Sequence, residues 1–333
     1  MPRVSVLVPS YGHEAFLGAC LASLQAQTFT DWEAVVVDDA SPDASRLVAE
    51  DAAAQDPRIR VFHNERNQGA YATQVRAAEL AQGELLAVLN SDDLWSPGKL
   101  ASQLAALDES PGAACCATLG WPCDAHGRPT GQDVHADWPT GLVPLAPWLL
   151  YENRILASST LFRRERFVPF PALRYSGDWS ALLAAAHRGP LLVLPQRLTM
   201  WRQHSANSYV VSPAQAAEEA AWREVVGRQG AVLARGGPAA DVAAGLAKNA
   251  VNLFALYLLL GQPGRAARLL PRMLQGGDRR AHARRWATLA MGWRRARAHV
   301  WRGQPGALEA VPAARARLAS LDEADWMAKV TSG

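Results

Sequence analysis

Two pairs of adjacent aspartates, Asp38-Asp39 and Asp92-Asp93, each follow a short apolar run, Ala34-Val35-Val36-Val37 in the first case and Leu85 to Leu89 in the second. Runs of that length and composition read as strands. In open α/β sheets, ligands bind outside the carboxyl ends of the strands, so both pairs stand where a ligand belongs. For one pair alone there is an ordinary explanation, since an aspartate after a strand also caps the helix that follows. Two pairs on one rim are harder to explain that way. A rim of carboxylates repels phosphate unless a divalent cation lies between, and all-oxygen ligands suit Mg²⁺ or Mn²⁺. The acids therefore point to a metal-bridged diphosphate. The first strand leads into Pro9-Ser10-Tyr11-Gly12-His13, which is neither the Gly-x-Gly-x-x-Gly turn of dinucleotide binders nor the Gly-rich Lys-Ser/Thr loop of nucleoside triphosphatases. That argues against a dehydrogenase and a P-loop kinase.

The elements that must carry these acids follow from periodicity. Val4 to Val8 reads as a strand, Phe16, Leu17, Cys20, Leu21 and Leu24 as the apolar face of a helix, and Ala34 to Val37 as the next strand. A helix after Pro42, a strand over Ile59 to Phe62, a helix around Ala72 to Ala81 and a strand over Leu85 to Leu89 continue the alternation. Such alternation predicts parallel pairing through right-handed crossovers, an α/β doubly wound sheet. Ser96-Pro97 reads as the N-cap and first residue of a helix through Leu100, Leu104 and Leu107 that stops near Pro111. Between Trp121 and Trp148 there is little periodicity and much Pro, Gly and Trp, which predicts a long irregular excursion. Beyond Pro213 the chain becomes Ala- and Arg-rich and helical, which puts a boundary near 212 and gives domains of 1–212 and 213–333.

Taken in order, several short pieces resemble the family-2 glycosyltransferases. They are Val4 to Tyr11, Ser23-Leu24-Gln25-Ala26-Gln27-Thr28, Val35 to Ser41, Asn67-Gln68-Gly69, Gln82-Gly83-Glu84, Leu89 to Asp93, Gly177-Asp178-Trp179 and Trp201-Arg202-Gln203-His204. The resemblance covers roughly residues 3 to 208. It implies the GT-A fold, a doubly wound, mostly parallel sheet, here followed by a C-terminal helical extension. It also implies inverting transfer of a sugar from a nucleotide diphosphate to a hydroxyl.

The resemblance assigns roles residue by residue. Asp39 would contact the nucleobase; a carboxylate accepts from an imide N–H, which uracil and thymine offer and cytosine lacks, so a UDP- or TDP-sugar is favoured. Pro9, Tyr11 and Glu14 would wrap the nucleoside, with buried packing as the alternative for Tyr11. The Asn67–Gly69 loop would complete the nucleotide site. Asp93 is the first choice for direct coordination of Mn²⁺ or Mg²⁺, and Asp92 for metal or ribose. The metal would act as a Lewis acid on the leaving diphosphate. Asp178 matches the base that takes the acceptor's proton, with an N-cap for the helix Trp179 to Ala186 as the alternative. His204 matches a histidine that touches metal or diphosphate, a lone structural histidine being the alternative, and Arg202 would meet phosphate. Three positions depart from the pattern. Asn90 replaces the first acid of a three-residue acid motif, Gln74 and Val75 replace an Arg-Asn pair, and Gly177 replaces the usual glutamate before the base.

Composition sets the remaining bounds. The 333 residues carry a formal charge of +3, yet the stretch from Arg265 to Arg302 holds eleven arginines against the single acid Asp278, so the remainder is net acidic. With Trp286, Trp293 and Trp301, that stretch reads either as a basic surface for anionic lipid or an acidic partner, or as a solvated helix face. No nucleic-acid-binding signature accompanies it. The four cysteines lack zinc-site spacing, and no signal-peptide pattern opens the chain. The longest apolar run, Ala250 to Leu260, is short of a bilayer span. The expectation is a cytoplasmic protein, peripheral at the inner membrane face, acting on a carbohydrate or glycolipid acceptor near Trp121, Trp138, Trp148 and residues 153–164. A non-catalytic nucleotide-sugar-binding or scaffold protein of the same fold is the competing reading.

Overall fold

The computed structural model describes residues 1–131, 138–171, 173–204, 212–273 and 323–332. The chain divides into two compact units, one comprising Met1–Pro144 and Arg154–Asn207, the other Leu145–Asn153 and Ser208–Thr331. The short piece Leu145–Asn153 thus belongs with the C-terminal helices.

In the first unit, strands β1 (Val4–Ser10), β2 (Trp32–Asp38), β3 (Ile59–His63) and β4 (Leu85–Val88) alternate with helices α1 (Glu14–Gln25), α2 (Ser45–Gln55) and α3 (Ala70–Leu80). They pair in parallel in the order β3-β2-β1-β4. The period-2 pattern explains why β1 and β2 are buried throughout and mostly apolar on both faces. Val4, Val6, Val8, Ala34 and Val36 join one core with Leu17, Cys20, Leu21 and Leu24 of α1, while Leu7, Val35 and Val37 join Ala77 of α3 on the other face. Gly83 of the Gln82-Gly83-Glu84 turn has no room for a side chain, because a Cβ there would lie 2.7 Å from the Ser5 nitrogen.

The sheet continues as a mixed array. Strand β5 (Leu94–Trp95) is followed by α4 (Lys99–Glu109), β6 (Cys115–Cys123), β7 (Gly141–Val143), β8 (Thr160–Arg163), helix α6 (Gly177–Arg188) and β9 (Leu191–Arg202). Beyond β4 the order is β8-β6-β9-β5, with β7 on β9; β6 and β9 are parallel and the other added pairs antiparallel. The expected excursion from 121 to 148 is therefore partly ordered. It contains the end of β6, β7 and the short helix α5 (Ala146–Leu149). Helix α4 begins two residues later than Ser96-Pro97 suggests, with Gly98 as its N-cap. Ser96 is held instead by its N–H donating to the Leu198 carbonyl at 3.0 Å, which prolongs the β5–β9 pair.

The second unit is built on two 21-residue helices, α7 (Pro213–Leu233) and α8 (Ala239–Leu259), followed by short helices α9 (Pro263–Ala267) and α10 (Leu270–Met273). Ala216, Ala217 and Ala220 of α7 pack against Ala250, Val251, Leu253 and Tyr257 of α8. By length and composition α8 is long and apolar enough to cross a membrane, a longer element than the run Ala250 to Leu260 predicts. Its Asn249 is buried and exchanges hydrogen bonds with Arg223 of α7, at 3.1 and 2.9 Å. Most of the arginine-rich stretch, including Trp286, Trp293 and Trp301, lies outside the described residues.

Candidate active site

Because β1, β2 and β4 run parallel, their carboxyl ends share one rim. His13 follows β1, Asp38-Asp39 close β2 and Asp92-Asp93 follow β4. His204 follows β9, whose Met200 pairs with Leu94 directly after Asp93. The topology thus brings residues far apart in sequence to one edge.

Asp92, His13 and His204 form a cluster in which one ligand atom from each lies within 4.8 Å of the others. Asp92 Oδ2 is 3.2 Å from His204 Nε2 and 3.9 Å from His13 Nε2. His204 stacks on Phe16 with ring centroids 4.3 Å apart, and His13 Nδ1 is 2.7 Å from Ser91 Oγ, so both rings are oriented by second partners. Burial holds the His13 imidazole below its usual pKa despite the attraction of Asp92, which favours the neutral form that can ligate. Two imidazoles and a carboxylate are a donor set that fits a divalent transition ion such as Mn²⁺ better than Mg²⁺, which prefers oxygen.

Asp93, expected to be the leading ligand, is placed differently. Its Oδ2 accepts from the Ser158 hydroxyl at 2.5 Å and its Oδ1 from the Arg202 backbone N–H at 3.0 Å. Burial and the neighbouring Asp92 charge push its carboxyl up to about 8. It is Asp92 that joins the histidines. Arg202 is buried, with its guanidinium 4.9 Å from the Phe16 ring centroid.

At the end of β2 the carboxylates divide their work. Asp39 accepts from Asn64 Nδ2 at 2.6 Å, from the Gln68 N–H at 2.9 Å and from the Gly69 N–H at 2.8 Å, so it pins the loop that opens α3. Gly69 has φ +95°, a conformation that suits glycine. Asn67 makes none of these bonds to Asp39; the asparagine that does is Asn64. Asp38 Oδ2 accepts the Ser41 N–H at 3.0 Å, whereas Asp38 Oδ1 and Ser10 Oγ are buried without a hydrogen-bond partner at neighbouring positions of β1 and β2. Orphaned buried polar atoms at strand ends suit a polar ligand. Tyr11 is 47% exposed, which removes the packing alternative. Pro9 is buried within β1, and Glu14 accepts the Ala44 N–H at 2.8 Å, tying α1 to the start of α2.

Asp178 lies in the first turn of α6, whose N-cap is Ser176, so the N-cap alternative does not hold. Its Oδ1 accepts from its neighbour's N–H (Trp179) at 2.8 Å and from the Tyr71 hydroxyl at 3.1 Å. Burial pushes this carboxyl up to about 6. Gly177 is required by the same contact, since a Cβ there would lie 2.2 Å from the Tyr71 ring. Among the residues suggested for the acceptor side, Trp138 is buried, Trp121 is 40% exposed with Arg197 over its ring, and Trp148 belongs to the second unit. His13, Tyr71, Asn64 and Ser158 were not singled out by sequence. Only His13 carried a usable signal, its place in the loop after the first strand.

Residues 5–167 match the model of glycosyl transferase family 2. That segment, just under half of the chain, is similar to the family-2 glycosyltransferases. Among curated family relatives, a putative teichuronic acid biosynthesis glycosyltransferase of Bacillus subtilis is 35% identical over 136 residues, covering 40% of this chain and 53% of the relative. An Escherichia coli protein named as a UDP-Glc:alpha-D-GlcNAc-diphosphoundecaprenol beta-1,3-glucosyltransferase is 37% identical over 101 residues, covering 30% and 39%. The chain thus spans about half or less of each of these relatives. Among solved structures, S. aureus TarS 1-349 in complex with UDP superposes with a TM-score of 0.60 at 18% identity, covering 89% of this chain and 92% of that one. The fold is the GT-A type, a central mixed sheet with flanking helices and a helical C-terminal region.

Proposed function

We propose that this protein is an inverting, metal-dependent glycosyltransferase that moves a sugar from a UDP- or TDP-sugar to the hydroxyl of a carbohydrate or glycolipid acceptor in bacterial polysaccharide synthesis. The observation that carries this reading is the Asp92–His13–His204 cluster, on the same strand-end rim as the buried, partly unsatisfied Asp38 and Ser10. A divalent ion held by Asp92, His204 and His13 would neutralise charge on the leaving diphosphate.

The residues of this chain supply the rest. The exposed Tyr11 ring offers a face for the nucleobase, and the Asp38–Asp39 pair offers acceptors for an imide N–H. Asp39 also fixes the Asn64–Gly69 loop beside the nucleotide. Asp178 takes the proton from the acceptor hydroxyl as that oxygen attacks the anomeric carbon from the face opposite the diphosphate. A carboxyl raised to about 6 is a better base than an ordinary aspartate and is still ionised at neutral pH. Residues 1–212 form the catalytic part of this reading and 213–333 its extension. The polysaccharide-synthesis relatives and the lipid-linked acceptor named for one of them support the acceptor class and a station at the inner membrane face. The UDP complex of TarS and the GDP-Man and Mn²⁺ complex of a Pyrobaculum calidifontis mannosyltransferase support a nucleotide donor and a metal.

The test is release of nucleotide from UDP-glucose, UDP-N-acetylglucosamine and TDP-glucose, with Mn²⁺ and with chelator. Mn²⁺-dependent release that is lost in Asp92→Ala is expected. Folded protein that releases no nucleotide and binds none would favour the non-catalytic reading.

A further inference from the structure

The second unit contains a cavity of about 530 Å³ bounded by α7, α8 and the short helices after α8. Its lining includes the apolar side chains of Leu246, Ala250, Leu253 and Leu269 beside the buried amide of Asn249. Small side chains on the facing helices leave that space open, Gly227 on α7 and Ala243 and Ala247 on α8. Four arginines stand on its walls, at positions 228, 265, 268 and 272, against the single acid Glu224.

These four cations are not equivalent. Arg228 lies 3.8 Å from Glu224 and 2.5 Å from Glu323, and Arg265 lies 3.5 Å from Glu224 and over the Tyr257 ring. Tyr257 donates to Glu224 as well. Glu224 is therefore already shared between two arginines and a phenol. Arg268 and Arg272 have no acidic partner among the described residues, and both are exposed. Arg272 reaches across Gly227, where a Cβ would lie 3.9 Å from its Nη1. The volume falls in the range of small-molecule sites. Guanidinium groups beside apolar side chains in one cavity match a phosphate head joined to a hydrocarbon tail.

We infer that this cavity is a binding site for a phosphate ester carrying an aliphatic chain, with Arg268 and Arg272 on the phosphate and Leu246, Ala250 and Leu253 against the chain. The same chemistry could be offered by a membrane lipid or by a soluble phosphoester. The site lies wholly within the second unit and stands whether or not the first unit is a transferase.

The full-length chain, wild type and Arg268→Glu/Arg272→Glu, is titrated with dodecyl phosphate and with inorganic phosphate by calorimetry. Both proteins are also sedimented with phosphatidylcholine vesicles, plain or doped with phosphatidic acid. Arg235→Glu, on an exposed residue outside the cavity, is the charge control. A thermal melt and nucleotide binding at the first unit report whether the variants fold. The expected result is dodecyl phosphate bound at least about tenfold more tightly than inorganic phosphate, a preference abolished in the double variant and kept in Arg235→Glu. Co-sedimentation with doped vesicles alone, lost in the double variant, would make the source a membrane lipid; its absence alongside dodecyl phosphate binding would make it a soluble ester. Equal affinity for the two phosphates, or unchanged binding in a folded double variant, would overturn the inference. Should Arg268→Glu/Arg272→Glu fail to fold, Arg268→Gln/Arg272→Gln is read against the same two outcomes.

Discussion

The Tyr71 hydroxyl donates to Asp178 Oδ1 at 3.1 Å, across 107 residues of sequence, and the ring that carries it occupies the volume a side chain at position 177 would need. Gly69, two residues before Tyr71, gives its N–H to Asp39 at 2.8 Å. The proposed base is thus linked through the first turn of α3 to the carboxylates at the end of β2. Asp178→Asn keeps the shape and removes the base, so transfer should fall by about 10²–10⁴-fold while nucleotide affinity is unchanged. Burying the carboxylate is unfavourable, as its raised pKa records, so the same variant should melt about 2–4 °C higher. A variant as active as wild type would remove Asp178 from the mechanism.

Asp178 must be ionised to act as a base, so kcat/KM should drop as pH falls through about 6. The Tyr71 hydrogen bond favours the ionised form and lowers the pKa that burial raises. Tyr71→Phe should therefore move the acid limb of the profile upward by up to about one pH unit, with the rate recovering at alkaline pH. Measuring the full profile separates this from a loss of folded protein, which would depress all pH values alike.

Gly177→Ala places a methyl group into the Tyr71 ring, a collision with the body of an aromatic side chain. Overpacking of this kind costs about 1–3 kcal/mol, and here it also displaces the hydroxyl from Asp178. Denaturant unfolding should show that loss in Gly177→Ala, and pairing the change with Tyr71→Ala should recover stability but not activity. Unaltered stability of the single variant would mean the ring has somewhere else to go.

Asp38 and Asp39 should fail in different ways. Asp39 holds three donors of the Asn64–Gly69 segment, so Asp39→Ala should destabilise the fold by about 1–3 kcal/mol through unpaired buried groups and weaken every nucleotide. Asp38 has one oxygen without a partner, and Asp38→Asn should leave the melting temperature nearly unchanged while reducing discrimination of UDP over CDP. Thermal melts and competition binding on the two variants distinguish these outcomes.

The first half of the fold was legible because its strands are short and mostly apolar and β1 to β3 are each followed by a helix. That local signal made β1 to β4 and the rim acids visible together. The added strands were not, for physical reasons. Strand β6 contains Pro122 and shifts register at Thr118, Leu119 and Gly120, and β9 runs through Pro195, Gln196 and Arg197, so neither shows clean alternation. At the site, Asp178 and His204 were suggested by the resemblance and not by any local pattern. His13 was not assigned a role, since its place in the loop after the first strand does not by itself separate a ligand from a structural histidine. Ser158 supports Asp93 from a turn 65 residues away, a contact no local pattern encodes. Which of Asp92 and Asp93 faces the histidines depends on side-chain direction, which the sequence does not carry.

The most direct test of the account is calorimetric binding of UDP, TDP, GDP and CDP to the wild-type protein with Mn²⁺ and again with chelator, repeated on Asp92→Ala and His204→Ala. Mn²⁺-dependent binding that favours UDP and TDP and weakens at least about tenfold in both variants is expected. Equal binding of all four nucleotides, or binding indifferent to chelator and to both substitutions, would contradict a metal-bridged diphosphate at this rim.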